Sequence, residues 1–127
     1  MEKKRFTFDL QLFAMETAYL NAIATEGRTL ITHIGLVNAT GTELSGGSPA
    51  YARKAVTWTA ASGGVIRPTA DLTFNIPAGV TVGGWRGYSA ATGGTNYGGD
   101  DLTNETYAGQ GEYTLLAAST GITHSAA

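Results

Sequence analysis

The side chains able to do chemistry in this chain are few, and their spacing does not form a reactive constellation. Histidine occurs only at His33 and His124, and cysteine is absent. A metal centre or a histidine general base needs a second imidazole or carboxylates converging on one point. His33 lies inside a β-branched run and reads as an ordinary strand residue, and His124 falls in a polar tail. The sequence carries no nucleophile elbow, zincin helix, phosphate loop or Cys-His pair. No catalytic residue, metal ligand or cofactor is assigned from these residues, and a non-enzymatic role is expected.

Two sets of carboxylates stand against that background. Asp100, Asp101, Asn104 and Glu105 form the one acidic cluster. Hard oxygen ligands close in sequence suit calcium, but this spacing is not the alternating one of the helix–loop–helix calcium loop. A solvated loop with a cap at Asp101 or Thr103 is the plainer reading. A glycan hydrolase needs two carboxylates facing each other across a cleft; Glu43 and Glu112 are the candidates, and no spacing nominates them. Asn38-Ala-Thr40 and Asn104-Glu-Thr106 fit the glycosylation sequon, which carries meaning only in a chain secreted by a eukaryote.

Contact chemistry is better represented. Arg53 follows Tyr51-Ala, and its guanidinium is a fork suited to a carboxylate or to backbone carbonyls. It is expected to clamp the Gly41–Pro49 loop, with a partner contact as the functional alternative. Trp58 falls on an inner strand face. Trp85 follows Gly83-Gly84 and reads as a core tryptophan with a bonded N–H, or else as a ligand platform. Tyr97 belongs to Ala91–Asp101, the longest loop-like stretch and a plausible exposed contact.

These residues need a β framework to hold them. The 127 residues suffice for one domain with a real core. Charged residues make up only 14%, well below the usual share of about a quarter, so Thr, Ser, Asn and Gly must cover the surface. The net charge of −2 argues against a nucleic-acid binder, and no apolar run is long enough to span a bilayer. Thr17–Glu26 has helical spacing, with Thr17 as cap and Gly27 as stop. Leu30–Val37, Val56–Ala60, Val65–Arg67, Leu72–Ile76, Val80–Tyr88 and Tyr113–Ala117 read as strands, separated by turns at Asn38–Gly41, Ser62–Gly64 and Pro77–Gly79. Gly83-Gly84 suggests a bulge or a close backbone approach. The expected fold is all-β, an antiparallel β-sandwich or partly open barrel over residues 15–127, with one short N-terminal helix.

The segment before the helix behaves differently. Phe6, Phe8, Leu10 and Leu12 alternate with Thr7, Asp9 and Gln11, the period of a strand with one buried face, and Phe13 ends the run. Asp9 and Gln11 break any signal-peptide core. Residues 1–14 are therefore read as an extended arm, either an edge strand of the domain or a segment docked on a neighbouring subunit.

Ile34-Gly-Leu, Gly41-Thr-Glu-Leu-Ser-Gly-Gly and Tyr51-Ala-Arg-Lys-Ala-Val-Thr-Trp resemble a family of small bacteriophage structural proteins, tail-fibre-like or minor virion proteins. Matching pieces stand at Phe74–Pro77, Val80–Trp85 and Thr92–Tyr97. Phe8-Asp-Leu-Gln-Leu-Phe-Ala14 resembles the leader of capsid proteins of phages that infect low-GC Gram-positive bacteria. The resemblance implies a virion part assembled in the bacterial cytoplasm, most naturally a capsid-associated decoration or minor capsid protein. It implies contacts to the major capsid protein or to neighbouring copies, and a homo-oligomer. Phe6, Phe8, Leu10, Leu12, Phe13, Arg53, Trp85 and Tyr97 are the expected contact residues. A tail-fibre or tail-tip component binding host glycan is the first alternative, and a small glycan hydrolase the second.

Overall fold

The computed structural model describes residues 16–124. The chain runs α1 (Thr17–Leu30), β1 (His33–Val37), β2 (Lys54–Ala55), β3 (Val65–Ile66), β4 (Leu72–Ile76), β5 (Val80–Tyr88), β6 (Asn96–Tyr107), β7 (Gly111–Leu115), a 3-10 turn (Ala117–Ser119) and β8 (Ile122–Thr123). It is mostly β. All pairings among the described residues are antiparallel: a four-stranded sheet in the order β2-β1-β5-β6, and two ribbons, β3-β8 and β4-β7.

The helix is longer than its stop signal predicts. It passes through Gly27 and ends at Leu30, where the Ile31 N–H donates to the Gly27 carbonyl and the backbone of Ile31 turns extended. Leu20, Asn21, Ile23, Ala24, Gly27 and Arg28 are its buried or half-buried positions, with Ile31 buried just past its end; Leu20, Ala24, Gly27, Arg28 and Ile31 form one stripe at helical spacing. That stripe, not the glycine, decides the length: burial of Ile31 holds the last turn in place. Glu16, not Thr17, occupies the N-cap, with no side-chain capping bond.

β1 is buried along both faces from Ile34 to Val37. On one face Ile34 and Leu36 enter an apolar cluster that also holds Ala24 and Ile31, and on the other the side chains of Tyr51, Glu43 and Tyr88 close over Gly35. On the α1 side Leu36 pairs with Trp85 across the β1-β5 ladder. These two join Ile34, Ile66, Phe74 and Ile76 in one apolar cluster that also takes in Trp58 and Leu115. Trp58 donates its indole N–H to the Ile31 carbonyl at 2.7 Å, which ties the helix end to the core.

The double glycine in β5 does what its chemistry suggests. The β5-β6 register shifts between Val82 and Gly84, and a Cβ on Gly83 would stand 2.7 Å from the Ala39 Cα. The Asn38–Gly41 turn closes as expected, with Asn38 Oδ1 accepting from the Thr40 and Thr42 N–H groups. Ser62–Val65 is a tight turn with positive φ at Gly63 and Gly64.

Three strand expectations are corrected. Val56–Ala60 is not a ladder strand; Trp58 makes only an isolated bridge with Pro68, flanked by the Thr59 N–H to Arg67 carbonyl and Thr69 N–H to Thr57 carbonyl bonds, and Pro68 has no N–H with which to extend a ladder. Ala117 belongs to the 3-10 turn rather than to β7. The stretch Asn96–Asp101, expected within a loop, is the first half of β6; pairing with β5 overrides the weak strand preference of its Gly and Asp residues.

Candidate interaction surfaces

The polar face of β1-β5 carries the most tightly bonded side-chain cluster. Arg53 donates from Nε and Nη2 to the two carboxylate oxygens of Glu43, both at 2.8 Å. Its Nη1 donates to the carbonyls of Ala90 at 2.9 Å and Gly93 at 2.8 Å. The guanidinium also stacks 3.5 Å above the Tyr88 ring. Tyr51 adds its hydroxyl to Glu43 at 2.9 Å while accepting the Leu36 N–H at 2.8 Å. Gly35 lies beneath, where a Cβ would stand 2.6 Å from the Tyr51 hydroxyl.

This cluster fastens loops. Glu43 brings in the segment after β1, Arg53 holds it, and the same guanidinium anchors the loop between β5 and β6. The expected clamp on Gly41–Pro49 is present, with the β5-β6 loop as an added anchor that no sequence spacing indicated. The Arg53 hydrogen bonds hold the Glu43 carboxyl below its ordinary pKa, against the opposing effect of burial. Burial raises the Tyr51 hydroxyl well above its usual range. A carboxylate bonded to arginine in both oxygens is poorly suited to donate a proton, which removes the chemical appeal of Glu43 as a general acid.

A second region is open. Trp85, buried itself, floors a groove of about 610 Å³. Ile23, Leu30 and Ile31 of the helix form one wall, and Tyr97 and the following residues of β6 form the other, with the β8 end closing the third side. Tyr97 is 45% exposed and Leu30 42%, unusual for apolar side chains that face each other across a concavity. Asp100, opposite Trp85 in the ladder, also lines this rim.

β6 itself is an edge. Among the described residues it is hydrogen-bonded to β5 on one side only, and nearly all of its 12 residues are exposed. Its acidic residues do not form the expected loop cluster. Asp100 and Asp101 are consecutive on a strand and point to opposite faces. Asp101 lies 3.6 Å from Arg86, and Glu105 accepts the Tyr107 hydroxyl at 2.8 Å. Among the described residues no group of three or more His, Asp or Glu side chains is placed to hold a metal ion.

The remaining candidates are scattered. His33 Nδ1 meets the Thr32 hydroxyl at 2.9 Å. His124, expected in a free polar tail, is docked: its backbone N–H donates to the Gly64 carbonyl at 2.8 Å. Glu112 faces Asn75 in the β4-β7 ladder. Of the expected contact residues, the fold brings Trp85 and Tyr97 together at the groove and places Arg53 on the other face of the sheet, facing inward. Phe6, Phe8, Leu10, Leu12 and Phe13 lie outside the described residues. The groove wall supplied by α1 carries no signal in the sequence pattern, because Gly27 reads there as the helix stop and leaves Leu30 and Ile31 outside the helix. No protein-family model, curated protein or solved structure matches the chain.

Proposed function

We propose that this chain is a structural subunit of a bacteriophage particle, a capsid-associated decoration or minor capsid protein that acts by protein–protein assembly. In this reading residues 15–127 form a single β-sandwich, with the ribbons packed over the apolar face of the four-stranded sheet, and residues 1–14 form a contact arm. The resemblance of the Gly41–Trp58 stretch and of the leader to phage structural proteins supports the assignment. The observation that carries it is the division of labour between the two sheet regions. The most bonded ionisable groups are tied into an internal clamp, while the exposed Leu30 and Tyr97 flank a groove beside the outer edge of β6, which is chemistry for binding rather than turnover.

Removal of residues 2–14 is expected to leave the domain folded and to abolish incorporation into particles, read by co-sedimentation of labelled subunit with virions. Truncated chain that sediments at wild-type occupancy would sink the reading. The juxtaposition of Tyr97, Trp85 and Asp100 favours one alternative, a tail component that binds host glycan through an aromatic platform. Binding of the intact chain on a glycan array, lost in Tyr97→Ala, would select it.

A further inference from the structure

We propose that residues 6–12 of the arm lie along the groove between α1 and β6 of their own chain, adding a strand to the free edge of β6. The inference builds on the reading of residues 1–14 as a contact arm and specifies the surface that the arm occupies.

Four observations converge. First, β6 offers 12 residues of backbone with one side unpaired among the described residues, and an extended segment of matching period is the natural complement of such an edge. Second, Phe6, Phe8, Leu10 and Leu12 alternate with polar residues, so one side of the segment is apolar. The groove beside β6 presents Trp85, Tyr97, Leu30 and Ile31 to receive it. Third, the charges match. Lys3, Lys4 and Arg5 precede the apolar run, and Asp100 and Glu105 stand on β6. Fourth, the connection reaches. The arm joins the helix at Glu16, and α1 is 14 residues long, about 21 Å. The ten residues before Glu16 span about 33 Å when extended, enough to turn back along the helix and traverse the groove.

Occupation by the same chain rather than another copy follows from this reach, because a short tether holds the arm at an effective concentration in the millimolar range. The consequence is a covered edge. A long strand edge left open invites indiscriminate pairing, and the arm would cap it until assembly exchanges that contact for one with a neighbour.

The absence of cysteine permits a direct test in the full-length chain. Double variants pairing Phe8→Cys, Leu10→Cys or Leu12→Cys with Tyr97→Cys are oxidised and run on denaturing gels. At least one pair is expected to form an intramolecular disulfide in monomeric protein. Disulfide-linked dimers instead would show that a second copy fills the groove, and no cross-link in any pair would show that the arm lies elsewhere; either result overturns the proposal. As an independent readout, Phe8→Asp/Leu10→Asp in the otherwise intact chain should accelerate hydrogen exchange of the β6 amides by roughly tenfold or more, leaving β1 amides unchanged. Equal β6 exchange in the two proteins would also overturn it. Neither measurement involves particles, so the proposal can fail while the virion assignment stands, and the reverse.

Discussion

β1 and β6 flank the same strand and bond to it with the same antiparallel geometry, yet they have opposite fates. β1 is five residues long and buried on both faces, and β6 is more than twice as long and almost wholly exposed. Backbone pairing is thus common to both and decides neither burial nor role. What differs is what each side chain finds beyond the sheet. Ile34 and Leu36 meet the apolar cluster, and Gly35 makes room for the Tyr51–Glu43–Arg53 clamp. The Asn, Gly, Asp and Thr side chains of β6 meet solvent and one groove. A strand buried by its neighbours stabilises the domain, whereas a strand paired on one side only remains available for contacts.

The contrast can be broken by substitution, beginning where the effect is greatest. Leu36→Ala removes a fully buried side chain from the cluster and is expected to cost about 2–5 kcal/mol in urea unfolding. A smaller loss is expected of Glu43→Gln, about 1.5–3 kcal/mol, because the charge-assisted bonds to Arg53 are removed while that side chain stays largely buried. This variant also sharpens the comparison through pH. The folded pKa of Glu43 is lowered from its ordinary value of 4.5. Its contribution is therefore present above that value and lost as pH falls through the folded pKa. Glu43→Gln should be missing that acid-side loss when stability is followed from neutral pH downward.

Gly27→Ala tests the helix from the opposite direction. The new Cβ would stand 3.7 Å from Ile66 Cδ1, an ordinary contact, and alanine is the better helix former by about 0.8–1.0 kcal/mol. A rise in stability of roughly that size is expected in thermal unfolding. The smallest effect belongs to β6. Thr103→Ala, on an exposed position, should change stability by no more than about 0.5 kcal/mol. A loss comparable to that of Leu36→Ala would erase the distinction between the two strands.

Local chemistry was legible wherever it was governed by neighbours in the chain. The Asn38–Gly41 and Ser62–Gly64 turns follow from side-chain caps and positive-φ glycines, the β5 bulge from Gly83-Gly84, and the core place of Trp58 from alternation with Val56. The Arg53 clamp was readable in outline, since a guanidinium two residues after Tyr51 has few neutral ways to be buried. The groove was not legible, because it is made by residues from α1, β5, β6 and β8 that no spacing connects. The error at Gly27 has the same origin: a stop signal is local, and the burial of Ile31 that overrides it is not.

By itself, then, the sequence determined the β-rich class, the turns and the apolar face of the helix, all of which depend on side chains a few positions apart. Tertiary structure alone decided that Asn96–Asp101 is a strand, that Asp100 and Asp101 point apart, that Glu43 is locked to Arg53, and that Trp85 and Tyr97 share a groove. Each of these depends on pairing between distant segments, where the free energy of burial and of ladder hydrogen bonds outweighs the weaker preferences of the residues themselves.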